Sequence, residues 1–197
     1  MRAIIKREFK DFTEWKRKGK HKQYRDLKVD PEINTAVRAS LSEEQHGLCC
    51  YCCNKLQDSF HIEHFKPQEF YPQLSLDYGN MHASCTSVKP DNKHCGAKKG
   101  NHDPCGKERS ILSPLNPECS DFFEYDLFGY ILPMDDNKLA DDTISVLGLN
   151  APALRADRRG IIEAYLGAPD YDWKGSGNSL PAFYNVIEFL SKQETAD

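Results

Sequence analysis

Leu48-Cys49-Cys50-Tyr51-Cys52-Cys53 packs four of the chain's eight cysteines into five positions. It contains two overlapping C-x-x-C pairs, 49/52 and 50/53. Two thiolates at that spacing reach one tetrahedral zinc at ~2.3 Å each. A tetrahedral site needs two further ligands. Cys85 and Cys95 are the candidates, with Cys105 competing for the fourth place. Buried free thiols are the alternative reading, but four cysteines in five positions favour metal. We take Cys49, Cys52, Cys85 and Cys95 as ligands of a structural zinc. The 50/53 pair offers the same spacing.

Between these cysteines lies Ile62-Glu63-His64-Phe65-Lys66-Pro67, and Asn80 follows inside Leu76-Asp77-Tyr78-Gly79-Asn80-Met81. Phosphodiester hydrolysis needs an activated water and stabilisation of the charge that develops on phosphoryl and leaving oxygens. A neutral histidine near its ordinary pKa serves as general base at working pH, and a hard divalent cation neutralises the developing charge. On a strand, Glu63 and His64 point to opposite faces, so both serve one centre only if the strand ends there. Lys98 and Lys99, with Lys89, Lys93 and Lys107, form a basic group suited to phosphate neutralisation.

The elements that must position these residues are short. Residues 1–30 hold 11 Lys/Arg against 5 Asp/Glu and few apolar anchors, which predicts a loosely packed basic segment. Asp30-Pro31 starts a helix carrying Ile33, Val37 and Leu41, and Ser42 to Gln45 resembles a second capping box. Residues 48–105 are loop-rich, with an extended piece over Phe60 to Phe65. Phe122 to Pro133 reads as a hairpin turning near Phe128-Gly129. Asn150 is expected to cap a helix with Pro152 in its first turn, and a last helix is expected from about Ser179 to Lys192. The fold class is α+β. A basic helical segment (1–40) precedes a zinc-stabilised core (41–118) and a hairpin plus helical region (119–197).

Charge divides along the chain. Residues 1–110 carry 20 Lys/Arg against 15 Asp/Glu, and the remainder 6 against 15, within an overall net charge of -4. All seven histidines fall in the basic part. Arg155 and Arg159 share a helix face, which could touch nucleic acid or pair with the acids of 135–142, and pairing is the expectation. Phe122, Phe123, Tyr125, Phe128 and Tyr130 stand among acids as a partner surface or as core. Mean hydropathy is -0.67. No apolar run approaches the ~18–20 residues of a membrane span, and no signal-peptide pattern opens the chain. A cytoplasmic protein is expected, in which cysteines bind metal rather than pair.

In order, C-x-Y-C, E-H-F-x-P, N-x₄-C and C-G-x-K-K-G resemble the HNH nucleases. Further blocks extend the match to the retron- and Septu-associated (PtuB-like) HNH family over about residues 40–165. They are Ser113-Pro114-Leu115-Asn116-Pro117, Glu124-Tyr125-Asp126 with Gly129, and Thr143 to Asn150 with Arg155 and Arg158. The resemblance implies a small ββα-metal core with a four-cysteine zinc site. It implies His64 as base, Asn80 orienting it, and Glu63 near a catalytic Mg²⁺ or Mn²⁺. Where many family members place His or Asn directly after the second cysteine pair, Gly96 stands here. His94, His102 or Asp103 is left to supply that ligand, with His82 a further candidate; His94 is the one taken with Glu63.

The resemblance also implies an antiphage endonuclease acting on DNA or RNA. Its implied partners are an ABC/SMC-like ATPase of the PtuA type and a retron reverse transcriptase with its msDNA. The residue types alone also admit a zinc-stabilised nucleic-acid-binding or protein-interaction module without catalysis.

Overall fold

The computed structural model describes residues 1–19, 23–86, 90–106, 108–168, 172–173 and 178–194. Lys89 and Lys107 of the expected basic group lie outside them. The N-terminal segment is better packed than its composition predicts. Helices α1 (Lys10–Lys18) and α2 (Tyr24–Val29) each bury a large side chain completely, Phe12 from the first and Leu27 from the second. Both join Ile33, Val37 and Leu41 of α3 (Pro31–Glu44) over Ile62, Met81 and Ala83. Sparse anchors suffice because Phe12 and Leu27 are each large and fully buried.

Asp30 caps α3 as expected, its Oδ1 accepting from Ile33 N at 3.3 Å. The second capping box does not form, because α3 runs through Ser42 to Glu44. The Gln45 amide works across the chain instead. Its Nε2 donates to Leu48 O and Ala83 O, and its Oε1 accepts from Ala83 N, each at 2.8 Å. One buried side chain thereby fastens the cysteine knuckle to a strand 38 positions away.

Strands β1 (His61–His64) and β2 (Met81–Ser84) pair antiparallel, with Glu63 opposite His82 and His64 opposite Met81. The short α4 (Cys95–Lys99) follows and completes a ββα unit, so the chain is α+β. The expected hairpin forms from β3 (Phe123–Tyr125) and β4 (Ile131–Pro133). Phe123 is buried, whereas Leu127 and Phe128 stand out from its turn at 62% and 66% exposure. Helix α5 (Lys138–Leu147), unforeseen in the sequence, is capped by Asn137 Oδ1 at Leu139 N and Ala140 N.

Helix α6 (Pro152–Gly167) begins without the expected Asn150 cap. Asn150 instead clasps both backbone groups of Ile131 at 2.9 Å. Arg155 lies over the Tyr130 ring at 3.5 Å and Arg159 pairs with Glu163 at 2.7 Å, so the expected pairing with 135–142 is not made. Arg158 is buried and donates to Gly129 O and Leu149 O. Gly129, at φ +80°, sits so close to α6 that a Cβ there falls 2.2 Å from Arg155 O. Helix α7 (Tyr184–Glu194) starts later than expected because the residues before it dock on the knuckle. Leu180 N donates to His46 O at 3.1 Å and Phe183 N to Cys53 O at 2.7 Å. No helix among the described residues is long and apolar enough to cross a membrane.

Candidate metal centre and active site

The Sγ atoms of Cys49, Cys52, Cys85 and Cys95 lie within 4.8 Å of one another, all from buried or nearly buried residues. Two thiolates at ~2.3 Å from one tetrahedral ion stand ~3.8 Å apart, and Cys52 Sγ is 3.7 Å from Cys85 Sγ. Backbone N–H groups already point at the sulfurs: Cys85 N donates to Cys49 Sγ at 3.3 Å and Asn54 N to Cys52 Sγ at 3.5 Å. Burial raises the Cys49 pKa, but hydrogen bonds from the neighbouring thiols outweigh it and hold the thiol well below its ordinary value. A ready thiolate among four convergent sulfurs fits a zinc-type ion.

The overlapping pair 50/53 lies outside the group of four convergent sulfurs. Cys53 packs with Leu48, Tyr165, Tyr184 and Ile187, and burial pushes its thiol up to about 11. Cys105 is exposed and outside the group. His94 Nδ1 lies 3.2 Å from Cys95 Sγ and 3.5 Å from Cys85 Sγ, which places this histidine beside the thiols.

Glu63 leaves β1 on the face toward α4. Its Oε1 pairs with Lys99 Nζ at 2.7 Å and accepts from Tyr51 OH at 3.1 Å. Lys99 also donates to His64 O at 2.9 Å and is only 4% exposed. This corrects the expected basic group: Lys99 is spent on an internal ion pair, and Lys98 alone of the two faces solvent. The space opposite Glu63 is closed by Gly96, where a Cβ falls 2.5 Å from Glu63 Oε2.

The expected partnership of Glu63 and His94 around a catalytic cation is therefore not assembled. Strand alternation sends Glu63 to Lys99, and the turn into α4 sends His94 to the sulfurs. The alternatives are occupied too. His102 Nε2 bonds to Arg109 O at 2.8 Å, and Asp103 accepts from Tyr71 OH at 3.1 Å. Among the described residues the four cysteines form the one group of three or more side chains placed to hold a metal.

His64 occupies the opposite face of β1. Its Nε2 is 2.9 Å from Ser75 O, its Nδ1 3.2 Å from Gln68 Nε2, and its ring stands edge-on to Tyr24 with centroids 4.7 Å apart. A carbonyl only accepts, so Ser75 assigns the proton to Nε2 and leaves Nδ1 as the basic atom. Burial lowers the His64 pKa to about 4, against the smaller raising effect of the Ser75 bond. The imidazole is thus neutral at physiological pH.

Asn80 governs the setting of His64 through the backbone rather than by touching the ring. Its Oδ1 accepts from Lys66 N at 2.7 Å, and its Nδ2 donates to Lys66 O at 3.0 Å and Leu74 O at 3.3 Å. These bonds cinch the loop that presents Ser75. His82, on β2 opposite Glu63, is buried, its Nε2 without a partner among the described residues, and burial drives its pKa well down. Sequence reasoning missed Gln68, Ser75 and Tyr24. The one signal was that Gln68 follows His64 by four positions within the turn-rich Pro67 loop.

An antiparallel strand pair, a short following helix, a neutral histidine ending the first strand, an asparagine locking its loop and four convergent thiols together define an HNH-type ββα unit. No family model matches the chain. It is 31% identical to the "Retron Vc95 putative HNH endonuclease" of Vibrio cholerae serotype O1 biovar El Tor over 141 residues, 66% of this chain and 65% of that protein. It is 32% identical to the "Septu protein PtuB" of Bacillus thuringiensis over 117 residues, 58% of this chain and 41% of that protein. The chain thus spans less than two thirds of the length of either relative. Over the matched residues it is a homologue of these two proteins.

Proposed function

We propose that the protein is an HNH endonuclease of an antiphage defence system, hydrolysing phosphodiester bonds of nucleic acid with His64 Nδ1 as general base. The observation that carries this reading is the His64 setting: Ser75 O holds the proton on Nε2, and Gln68 Nε2 donates to Nδ1, which is left as the unprotonated acceptor. Asn80 acts as a positioning residue through the 66–75 loop. Cys49, Cys52, Cys85 and Cys95 hold a zinc that sustains the fold. A second, hard cation such as Mg²⁺ or Mn²⁺ would supply charge neutralisation at the phosphate. Glu63, its expected ligand, is engaged by Lys99 and Tyr51.

The relatives' names place them in retron and Septu systems. We infer for this chain a cytoplasmic assembly with an ABC/SMC-like ATPase of the PtuA type, with a retron reverse transcriptase and its msDNA as further partners. The acidic 111–197 part, with Leu127 and Phe128 exposed on its hairpin, suits docking. The engagement of Glu63 favours one second reading, a zinc-stabilised nucleic-acid-binding module without catalysis. One assay decides. Wild type and His64→Ala are incubated with plasmid DNA and with RNA, each with and without added Mg²⁺ or Mn²⁺ and the ATPase. Cleavage by wild type alone supports the nuclease; identical behaviour of the two proteins sinks it.

A further inference from the structure

A cleft of about 460 Å³ opens beside His64, between α2 and the loop after β1. Gln23, Tyr24 and Arg25 form one wall, and Gln68, Gln73 and Ser75 the other. Tyr24, Gln68 and Ser75 are the three residues that touch the His64 ring, so the cleft and the basic nitrogen share their walls. None of the lining residues is an acid; the polar side chains carry amides, two hydroxyls and a guanidinium. Such a lining offers hydrogen bonds to phosphate, sugar and base edges without repelling an anion.

One side chain bears on a ligand. Arg25 is 78% exposed, and its nearest acid, Asp26 Oδ1, is 4.0 Å from Nε. The other oxygen of Asp26 already caps α2 by accepting from Gln23 N at 3.2 Å. The volume matches a small-ligand site and admits a nucleotide rather than a duplex.

We propose that this cleft seats a nucleotide of the substrate strand next to the scissile phosphate, with Arg25 as its phosphate contact. The N-terminal basic segment thereby supplies one wall of the substrate site. This deepens the nuclease reading and rests on it.

The test uses the full chain carrying His64→Ala, which binds without cutting, and fluorescein-labelled single-stranded DNA and RNA oligonucleotides read by fluorescence polarisation. At ~50 mM salt, Arg25→Glu is expected to weaken binding about fivefold or more, whereas Arg25→Lys stays within about twofold. Arg159→Glu, an exposed change on α6, is the control for unspecific charge effects and stays within about twofold. Arg25→Glu within twofold of its parent, an equal loss from Arg159→Glu, or no binding by the parent overturns the proposal.

Cleavage assays in the otherwise wild-type protein separate the two claims. A wild type that does not cut, together with an Arg25-dependent binding signal, removes the nuclease reading and leaves the cleft as a nucleotide site. A wild type that cuts, with KM unchanged by Arg25→Glu, removes the cleft alone.

Discussion

Glu63 and Lys99 form an ion pair at 2.7 Å that joins β1 to α4, with both side chains withdrawn from solvent. Breaking a buried pair from one side leaves an uncompensated charge, at a cost of ~3–5 kcal/mol. Lys99→Met is expected to lower stability by that order in denaturant unfolding. The double variant Glu63→Gln/Lys99→Met should recover much of it, since no charge is then stranded. A single Lys99→Met within ~1 kcal/mol of wild type would show that the pair does not form in solution.

The two overlapping C-x-x-C pairs make opposite predictions. Cys49→Ser, Cys52→Ser, Cys85→Ser and Cys95→Ser should each lose bound zinc and melt at lower temperature, because ligation in such sites is folding energy. Cys50→Ser, Cys53→Ser and Cys105→Ser should keep one ion per chain in elemental analysis. Zinc lost from Cys53→Ser but retained in Cys52→Ser would reverse the ligand assignment.

The His64 pKa of about 4 lies below the ordinary 6.5 of an unfolded histidine. Between those values the unfolded chain binds more protons than the folded one. The stability from this group is therefore complete above pH 6.5 and drains away as pH falls toward 4, by on the order of 3 kcal/mol. His64→Gln should show a flatter fall in melting temperature over that interval. Wild-type cleavage should persist down to about pH 5 rather than fail near 6.5. A cleavage midpoint near 6.5 would contradict the buried, neutral imidazole.

Asn80 answers Lys66 N, Lys66 O and Leu74 O with a single side chain. Asn80→Ala strands part-buried backbone groups at ~1–3 kcal/mol and loosens the loop that presents Ser75 O, the carbonyl that fixes the His64 tautomer. The expected result is a fall in kcat with little change in KM in a protein that still binds zinc. Unchanged kcat would restrict Asn80 to a structural role.

The local chemistry was legible where it depends on spacing or a cap. The cysteine knuckle, the start of α3 at Asp30-Pro31 and the hairpin near Gly129 each follow from residues a few positions apart. What lay across the chain was not. Lys99 read as a surface cation because lysine is ordinarily exposed, and its partner Glu63 stands on another element. Ser42 to Gln45 has the form of a cap, but the Gln45 amide is claimed by Ala83. Helix α5 was hidden by the acids around it, although Ala140, Ile144 and Leu147 carry a buried stripe. The few apolar residues of 1–30 predict loose packing, yet Phe12 and Leu27 bury completely and anchor the segment.

The four sulfurs come from both sides of the segment that carries Glu63, His64, Gln68, Ser75 and Asn80, with Cys52 and Cys85 meeting 33 positions apart. An ion gripping both ends turns this excursion into a closed ring and removes its freedom to open. Stripping that ion lets the ring spread and the histidine lose its setting, though neither His64 nor Asn80 is a ligand. A chelator that abolishes cutting therefore reports ring opening as readily as the loss of an ion at the phosphate. Only restoration by Mg²⁺ or Mn²⁺ in zinc-replete protein distinguishes the two.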